Sequence, residues 1–418
     1  MSHVPGYSSA RPFPPQQRVR SPYGTPDHPL TPQRRRGRGF GMFGGILLSS
    51  LVIAVAAIVG EHVTAPDPDI AVHSGIGFAV YGGEELALVP YDRNGSGGLV
   101  DAMRHGLSEV RLAAVELSTG DMKWDVELAD RQPWPVAVLA AGDHFAYVST
   151  DNGLMILDLA DGGTVAEPGA VPGLERSRAL SGAAYGFDPA LDAVVALDVD
   201  GGVQVLPLDA LEAEPADAAT TATWSGVLFA EGSAPDIGGM TSTEALLADG
   251  ESTVRLEPTA DGALGGSLVV DGPDGKRALG TRVFYGAGIV LDQTSPFASF
   301  DVEIDVDALI AEFLEDPAAA SEDLWTGFGN TAAGAGAGHV LVEHQPEPGV
   351  DAYALHVVDL DTGQVTASTA TGSRLGRALT SPGGYTAVIA APEGSYWLAD
   401  LVLVAPGGSL ERVEIGRP

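Results

Sequence analysis

The sequence predicts an all-β fold built from repeated small antiparallel sheets. A phrase made of an apolar run, an acidic residue and a glycine turn recurs along the chain. Its turn glycines are Gly120, Gly162, Gly201, Gly363 and Gly407. Three of the four spacings are 42, 39 and 44 residues, and the long one is close to four such periods. The apolar runs suit strands covered on both faces, and Asp-Gly and Thr-Gly suit tight strand reversals.

A period of about 40–50 residues that contains only strands is typical of β-propeller blades. A small antiparallel sheet cannot bury both of its faces alone, so blades stack around an axis and share their cores. Weaker copies of the phrase at 246–251 and 269–276 fall inside the long spacing. We therefore predict a β-propeller of about seven blades, within a range of six to eight, over residues 69–418.

The phrase LAAVELSTGDMKW at 112–124 resembles the repeat of bacterial quinoprotein-type (PQQ-like) β-propellers. In that repeat a strand ends at an acidic residue, turns at Thr-Gly and places a Trp four positions later. The matching residues are Glu116, Thr119, Gly120 and Trp124. The segment at 145–159 is similar to the preceding strand pair of the same repeat. The resemblance implies either a scaffold of the cell envelope or a quinone-dependent dehydrogenase, and it includes many proteins that bind no quinone.

Charge is divided sharply between the two ends of the chain. The net charge is −34, yet residues 1–40 hold seven Arg and one acid, for +6. Residues 61–418 hold 15 basic and 55 acidic residues, for −40. Because phosphate neutralisation dominates nucleic-acid affinity, the acidic part excludes nucleic acid as a partner. The chain has no Cys, which excludes disulfides, Fe–S clusters and thiolate zinc sites.

The N-terminal part predicts a tail, an anchor and a linker. Residues 1–39 are rich in Pro and Arg and are predicted to be a disordered basic cytoplasmic tail. Residues 40–60 carry no charge and are long enough for a transmembrane helix. The Arg cluster at 34–38 places the N-terminus in the cytoplasm and residues 69–418 outside the cell membrane, after a linker at 61–68. The alternative is a signal peptide cleaved after 63–65.

The blades are predicted from the chain in order. The first uses three apolar strands between 70 and 117, with a long loop at 92–109, and its first strand also closes the ring. Blades two to four are assigned to 131–170, 175–211 and 222–258, with an acidic linker at 211–224. Blade five begins near Leu264, and blades six and seven fill the remainder after an irregular stretch at 292–330.

That irregular stretch predicts a helical insertion near 301–317. Apolar residues at helical spacing form one stripe: Val306, Leu309, Ile310, Phe313 and Leu314. Asp305 is the expected N-cap, and Pro317 ends the helix. Four carboxylates, those of Asp301, Glu303, Asp305 and Asp307, would share a face if this part were a strand. A solvated strand edge is the favoured interpretation, and a calcium site is the alternative.

The remaining candidate residues do not form a recognised catalytic or ligand-binding motif. The six His of the main domain are scattered: His73, His105, His144, His339, His344 and His356. His339 and His344 are predicted to point to opposite faces of one strand. The run from Gly334 to Gly338 is interpreted as a flexible loop because it lacks a phosphate-loop Lys. Trp124, Trp224, Trp325 and Trp397 are predicted to pack in the core or between blades, and Trp134 at an exposed rim.

These observations favour a membrane-anchored, single-pass, extracytoplasmic β-propeller that acts as a non-catalytic protein-binding or scaffold module. The predicted partners are other envelope or membrane proteins and, through 40–60, the lipid bilayer. No catalytic, metal or cofactor residue is predicted, and calcium stays open as a cofactor. The alternatives are a quinone- or calcium-dependent oxidoreductase and a sensor that signals to the basic tail.

Overall fold

The computed structural model describes residues 68–94, 108–129, 136–174, 184–228, 240–259, 265–293, 331–372 and 375–416. All of them belong to one compact unit, Ala57–Pro418. Within this described part, no helix reaches the length and hydropathy that crossing a bilayer requires. The predicted tail, the anchor at 40–60, the inserted helix at 305–316 and most of the loop at 92–109 lie outside the described residues.

The first half of the described chain forms three antiparallel meanders, each numbered by its place in the chain. The first meander contains β1 (Asp69–Val72), β2 (Gly77–Tyr81), β3 (Glu84–Asn94), β4 (Ser108–Glu116) and β5 (Met122–Ala129). The second contains β6 (Ala137–Ala141), β7 (Phe145–Thr150), β8 (Gly153–Asp158) and β9 (Thr164–Ala166). The third contains β10 (Tyr185–Asp188), β11 (Ala193–Leu197), β12 (Val203–Pro207) and β13 (Glu214–Pro215).

A helix, α1 (Ala218–Leu228), and a short strand, β14 (Thr241–Ser242), precede the second half. The fourth meander contains β15 (Glu244–Leu246), β16 (Thr253–Pro258), β17 (Gly265–Gly272) and β18 (Gly275–Ala278). The fifth contains β19 (Phe284–Val290), β20 (His339–Gln345), β21 (Tyr353–Asp359) and β22 (Val365–Thr371). The sixth contains β23 (Leu375–Thr380), β24 (Thr386–Ala390), β25 (Asp400–Val404) and β26 (Leu410–Glu414).

In the second to sixth meanders the strands lie side by side in sequence order, whereas in the first both β1 and β2 pair with β3; every ladder pairs antiparallel strands. A short β17–β19 ladder at Gly265 and Gly266 joins the fourth and fifth meanders into one nine-stranded sheet. Middle strands such as β11, β24 and β25 are buried at every position, which explains their uninterrupted apolar runs. The predicted all-β antiparallel class is confirmed.

Neighbouring meanders share hydrophobic cores at five of six junctions, and among the described residues no such core joins the third meander to the fourth. One core joins the first and second meanders, another the second and third, and two more join the fourth to the fifth and the fifth to the sixth. A fifth core joins the first to the sixth, with Val89 and Tyr91 packed among Ile389, Leu401 and Leu403. Successive antiparallel sheets with shared cores and a returning end form the arrangement that β-propellers have.

The prediction that the first strand completes the last blade is wrong. Both β1 and β2 pair along β3 of their own meander. The first and sixth meanders are joined instead by their shared core and by single contacts, such as the hydrogen bond of 2.7 Å from Val72 N to Leu398 O. Side-chain packing therefore replaces strand exchange at this junction.

Two predicted blade boundaries also differ. The strand near Leu264 does not begin a blade, because β17 pairs with β16 and supplies the outer half of the fourth meander. The irregular stretch at 292–330 interrupts the fifth meander between β19 and β20, rather than separating two blades. The described residues therefore contain six meanders, five of them with four strands and the first with five, because β1 and β2 pair with successive parts of β3.

The segment at 211–224, predicted to be a linker, includes β13 and the start of α1. Asp217 caps the helix, because its Oδ1 accepts a hydrogen bond of 2.7 Å from Thr220 N. Ala-rich sequence favours the helix, and Trp224 anchors it in the core of the third meander. The indole Nε1 of Trp224 donates to Asp188 Oδ2 at 2.7 Å.

The turn glycines have the backbone conformation that the sequence predicts at four of five positions. Gly120, Gly162, Gly201 and Gly363 have φ between +67° and +83°. In the last copy the positive φ of +76° falls on Gly408 rather than on Gly407. A side chain is strained in this region, so the glycine is required by the turn itself.

Candidate interaction surface

The most exposed aromatic side chains of the described residues lie together in the loop between β24 and β25. Trp397 is 75% exposed and Tyr396 is 65% exposed. The prediction that Trp397 packs in the core is therefore wrong. The neighbouring Leu398 packs against the core of the first and sixth meanders in its place. Trp124 and Trp224 are buried as predicted, and Trp134 and Trp325 lie outside the described residues.

The loop that carries Trp397 is held by hydrogen bonds of its own. Ser395 N donates to Pro392 O at 2.9 Å, and Trp397 N donates to the Ser395 hydroxyl at 3.1 Å. Gly394 adopts a φ of +75°, which closes the turn. Gly372 packs so tightly below the loop that a Cβ there would lie 2.2 Å from Ser395 O. The two aromatic rings are thus presented to solvent by a fixed backbone.

The turn between β20 and β21 adds to this site. Tyr396 donates its hydroxyl hydrogen to Asp351 Oδ2 at 3.4 Å, and Val350 beside it is 42% exposed. Val350, Tyr396 and Trp397 are called the aromatic surface below. It combines two amphipathic rings with one aliphatic side chain, a composition suited to contact with another molecule.

The aromatic surface lies next to the point where the chain enters the domain. Leu398 O accepts the backbone N–H of Val72, the last residue of β1, at 2.7 Å. β1 is the first strand after the predicted linker at 61–68. The surface and the start of the domain are therefore on neighbouring parts of the first and sixth meanders.

A half-buried arginine connects three meanders. The Nε and Nη2 of Arg377 on β23 donate to Gln293 O at 3.1 and 2.7 Å, and its Nη1 donates to Ser74 O at 3.2 Å. Gln293 follows β19, and Ser74 follows β1. Burial lowers the pKa of Arg377, against the opposing effect of Asp292. The guanidinium fork ties the fifth, sixth and first meanders together.

Two histidines that the sequence analysis treated as scattered form a buried pair. His344 Nε2 lies 3.1 Å from His356 Nε2, and the edge of Phe284 packs against both rings. His344 Nδ1 lies 2.8 Å from Gln345 O, so that nitrogen carries a hydrogen and donates it. His356 Nε2–H then donates to His344 Nε2, and His356 Nδ1 is left without a partner. Burial lowers the pKa of both rings, that of His356 to about 4.

The pair could have been found from the sequence only by pairing β20 with β21. Val342 is opposite His356 and Ala354 is opposite His344, so the two imidazoles are diagonal neighbours on one face. His339 lies at the other end of β20 and is not part of this pair. Its odd spacing from His344 places it on the opposite face of the strand, as predicted. His105 lies outside the described residues.

The other sequence candidates do not join a reactive group. The run from Gly334 to Gly338 forms a single 3-10 turn over Ala335–Ala337, with both flanking glycines at φ +80°. Across the described residues, no group of three or more His, Asp or Glu is placed to hold a metal ion. The acidic segment at 301–307 lies outside them.

A carboxyl without a partner lies on the central strand β20. Glu343 is partly buried, and its Oε1 has no hydrogen-bond partner. Burial raises the pKa of this carboxyl to about 7. The cause of this rise is loss of hydration on burial and not a charged neighbour.

No family model matches the chain, and no curated protein matches it. Solved structures that match include hydrazine synthase of Kuenenia stuttgartiensis, at 12% identity over 76% of this chain and 73% of that one, with a TM-score of 0.21. The tricorn protease matches at 12% identity over 84% of this chain and 35% of that one, with a TM-score of 0.26, so the chain spans about a third of its length. The β-propeller domain of Myceliophteria thermophila Cps50 (Swd1) matches at 12% identity over 84% and 90%, with a TM-score of 0.23. Because the identities and TM-scores are this low, these matches do not indicate an activity for the chain. The fold is assigned from the strand pairing and the shared cores.

Proposed function

We propose that this chain is a membrane-anchored, extracytoplasmic β-propeller of six blades with a PQQ-like repeat, and that it serves as a non-catalytic platform of the bacterial cell envelope. Residues 40–60 form the anchor, and the aromatic surface is the contact site for other envelope or membrane components. The six blades are the six meanders described above.

The observation that carries the proposal is the aromatic surface. Trp and Tyr are enriched among residues that dominate binding energy, because each offers a large rigid face together with a polar group. A loop whose backbone is already fixed loses little conformational entropy on binding. Trp397 meets both conditions, since it is three-quarters exposed and its backbone N–H is held by Ser395.

A platform also has to keep its shape when a partner binds. The shared cores join neighbouring meanders, and Arg377 adds a three-way tie between the fifth, sixth and first. These contacts support a rigid body that presents its loops in fixed positions.

The experiment compares the full-length protein and two variants in native membranes after chemical cross-linking. Trp397→Ala removes the larger ring of the aromatic surface. Leu191→Ala is the matched control, because Leu191 is 45% exposed but lies in the third meander. We expect the wild type and Leu191→Ala to give the same cross-linked adducts and Trp397→Ala to lose them.

Two outcomes contradict the proposal. One is an identical adduct pattern for Trp397→Ala and wild type, which would remove the contact role from the aromatic surface. The other is reduction of an electron-accepting dye by the purified protein when quinone, calcium and an alcohol or sugar are added. That result would replace the platform with the oxidoreductase alternative.

A further inference from the structure

We infer that the aromatic surface lies in the headgroup layer of the same bilayer that holds the anchor. The inference rests on the proposed anchor at 40–60 and names the component that the surface contacts. Trp397 and Tyr396 would then fix how the propeller sits on the membrane, and other surfaces of the domain would be left for protein partners.

The linker at 61–68 is short enough to hold the domain close to the membrane. Residues 61–68 separate the end of the predicted span from β1, and a fully extended residue covers about 3.5 Å, so the linker reaches at most about 30 Å. β1 ends at Val72, whose N–H is bonded to Leu398 O, next to Trp397 in the chain. The linker joins β1 at Asp69, three residues before Val72, so the tether is attached to the strand that contacts the loop carrying Trp397, and this loop is within reach of the membrane.

The residue types of the aromatic surface suit a membrane–water interface. Trp and Tyr are the residues that concentrate at membrane–water interfaces, because the ring enters the apolar boundary while the polar group stays in the headgroups. Trp397 offers its indole, and Tyr396 keeps its hydroxyl on Asp351 at 3.4 Å. Exposed Val350 widens the apolar part of the contact.

The charge around the aromatic surface is acidic. Residues 61–418 carry −40, Asp351 accepts the hydroxyl hydrogen of Tyr396, and exposed Glu393 belongs to the same loop as the two rings. Anionic headgroups would repel such a surface, so basic-patch binding to acidic lipids does not explain it. Insertion of uncharged rings among zwitterionic headgroups does not need that attraction.

Insertion of the two rings needs to contribute only a small binding free energy. A contact of two aromatic rings would be weak for a free protein. A short linker holds the domain at an effective concentration in the millimolar range, so a weak insertion suffices to orient it.

The test uses full-length protein reconstituted into phosphatidylcholine vesicles that contain a doxyl-labelled lipid, which quenches nearby Trp fluorescence. The chain has five Trp, so the contribution of Trp397 is the difference between the wild type and Trp397→Phe. Trp124→Phe is the control, because Trp124 is buried between meanders. We expect Trp397→Phe to lose most of the quenching and Trp124→Phe to keep it, with a label near the headgroup quenching more than one at the chain end.

Flotation of the same vesicles tests the anchor separately from the position of the aromatic surface. Protein that fails to float with the vesicles contradicts the proposed anchor. Protein that floats but is quenched equally in the wild type and in Trp397→Phe overturns the inference alone, and leaves a protein partner as the occupant of the aromatic surface.

Discussion

The indole Nε1 of Trp124 donates a hydrogen bond of 2.9 Å to the carbonyl oxygen of Leu159. Trp124 belongs to β5 of the first meander, whereas Leu159 opens the turn after β8 of the second. The same indole covers Gly162, where a Cβ would lie 2.8 Å from the Trp124 ring. The outer strand of one meander thus packs onto the glycine turn of the next.

Related contacts recur at other junctions with different side chains. Arg277 of the fourth meander donates to Leu360 O and Asp361 O in the corresponding turn of the fifth, at 2.9 and 3.0 Å. Thr366 of the fifth donates to Gly408 O of the sixth at 3.1 Å. At these two junctions Arg277 and Thr366 donate to the turn of the next meander, as Trp124 does at the first.

Comparison of two turn glycines tests this arrangement. Gly162→Ala should destabilise the domain more than Gly120→Ala, although both have φ near +70°. Positive φ costs on the order of 1–3 kcal/mol in either variant. At Gly162 the new methyl also meets the buried Trp124 ring, whereas at Gly120 it meets only the end of the Glu411 side chain. Urea unfolding of both variants measures the difference, and equal losses would show that the ring contact adds nothing.

The repeat was readable from the sequence because each copy carries its own local signal. A strand, an acidic residue and a glycine at positive φ are determined within a few residues, so Gly120, Gly162, Gly201 and Gly363 were assigned correctly. The blade boundaries were harder to predict, because the copies at 246–251 and 269–276, in the fourth meander, are weaker and because a long insertion separates β19 from β20. Local patterns do not say which strand pairs across such a gap.

The aromatic surface and the histidine pair could not be read from the sequence for a related reason. Trp397 and Leu398 are both large and apolar, and only the packing of the sixth meander decides which of them is buried. His344 and His356 become neighbours through the register of β20 and β21. Asp217 was a readable helix signal before an Ala-rich segment, but the acidic composition of 211–224 favoured a linker.

The arginine tie should be sensitive to a change that keeps its charge. Arg377→Lys removes the fork that reaches both Gln293 O and Ser74 O, and leaves the carbonyl of buried Gln293 without its two donors. We expect a loss of about 2–4 kcal/mol in the free energy of unfolding. Arg412→Lys is the control, because Arg412 bonds Asp400 within its own meander. Similar losses in thermal or urea unfolding would contradict a special role for Arg377.

Glu343 should make the domain less stable as pH rises. Its pKa in the folded protein is about 7, above the ordinary 4.5, so the unfolded chain releases this proton first. Stability contributed by the protonated carboxyl is complete below pH 4.5 and is lost as pH rises to about 7. Glu343→Gln should therefore exceed the wild type in stability by on the order of 2 kcal/mol at pH 8 and by much less at pH 4.5. Exposed Glu347→Gln is the control, and a pH-independent difference for Glu343→Gln would refute the assignment.

The histidine pair should act in the opposite direction. The folded pKa of His356 is about 4, below the ordinary 6.5, so the unfolded chain takes up a proton first as pH falls. Stability should drop between pH 6.5 and about 4 as the unfolded state gains protons. His356→Gln should flatten this drop, whereas replacement of exposed His144 by Gln should leave it unchanged. Unfolding curves at several pH values decide the point, and an unchanged slope in His356→Gln would contradict it.

The anchored, extracytoplasmic location can be tested directly because the chain contains no cysteine. Two single-cysteine variants of the full-length protein, Leu191→Cys in the third meander and Ser8→Cys in the basic tail, are treated in spheroplasts with a membrane-impermeant maleimide. Leu191 is 45% exposed, so its replacement should be accessible in the folded domain. We expect Leu191→Cys to be labelled in intact spheroplasts and Ser8→Cys only after lysis. Labelling of Leu191→Cys only after lysis would contradict the location on which the proposed function depends.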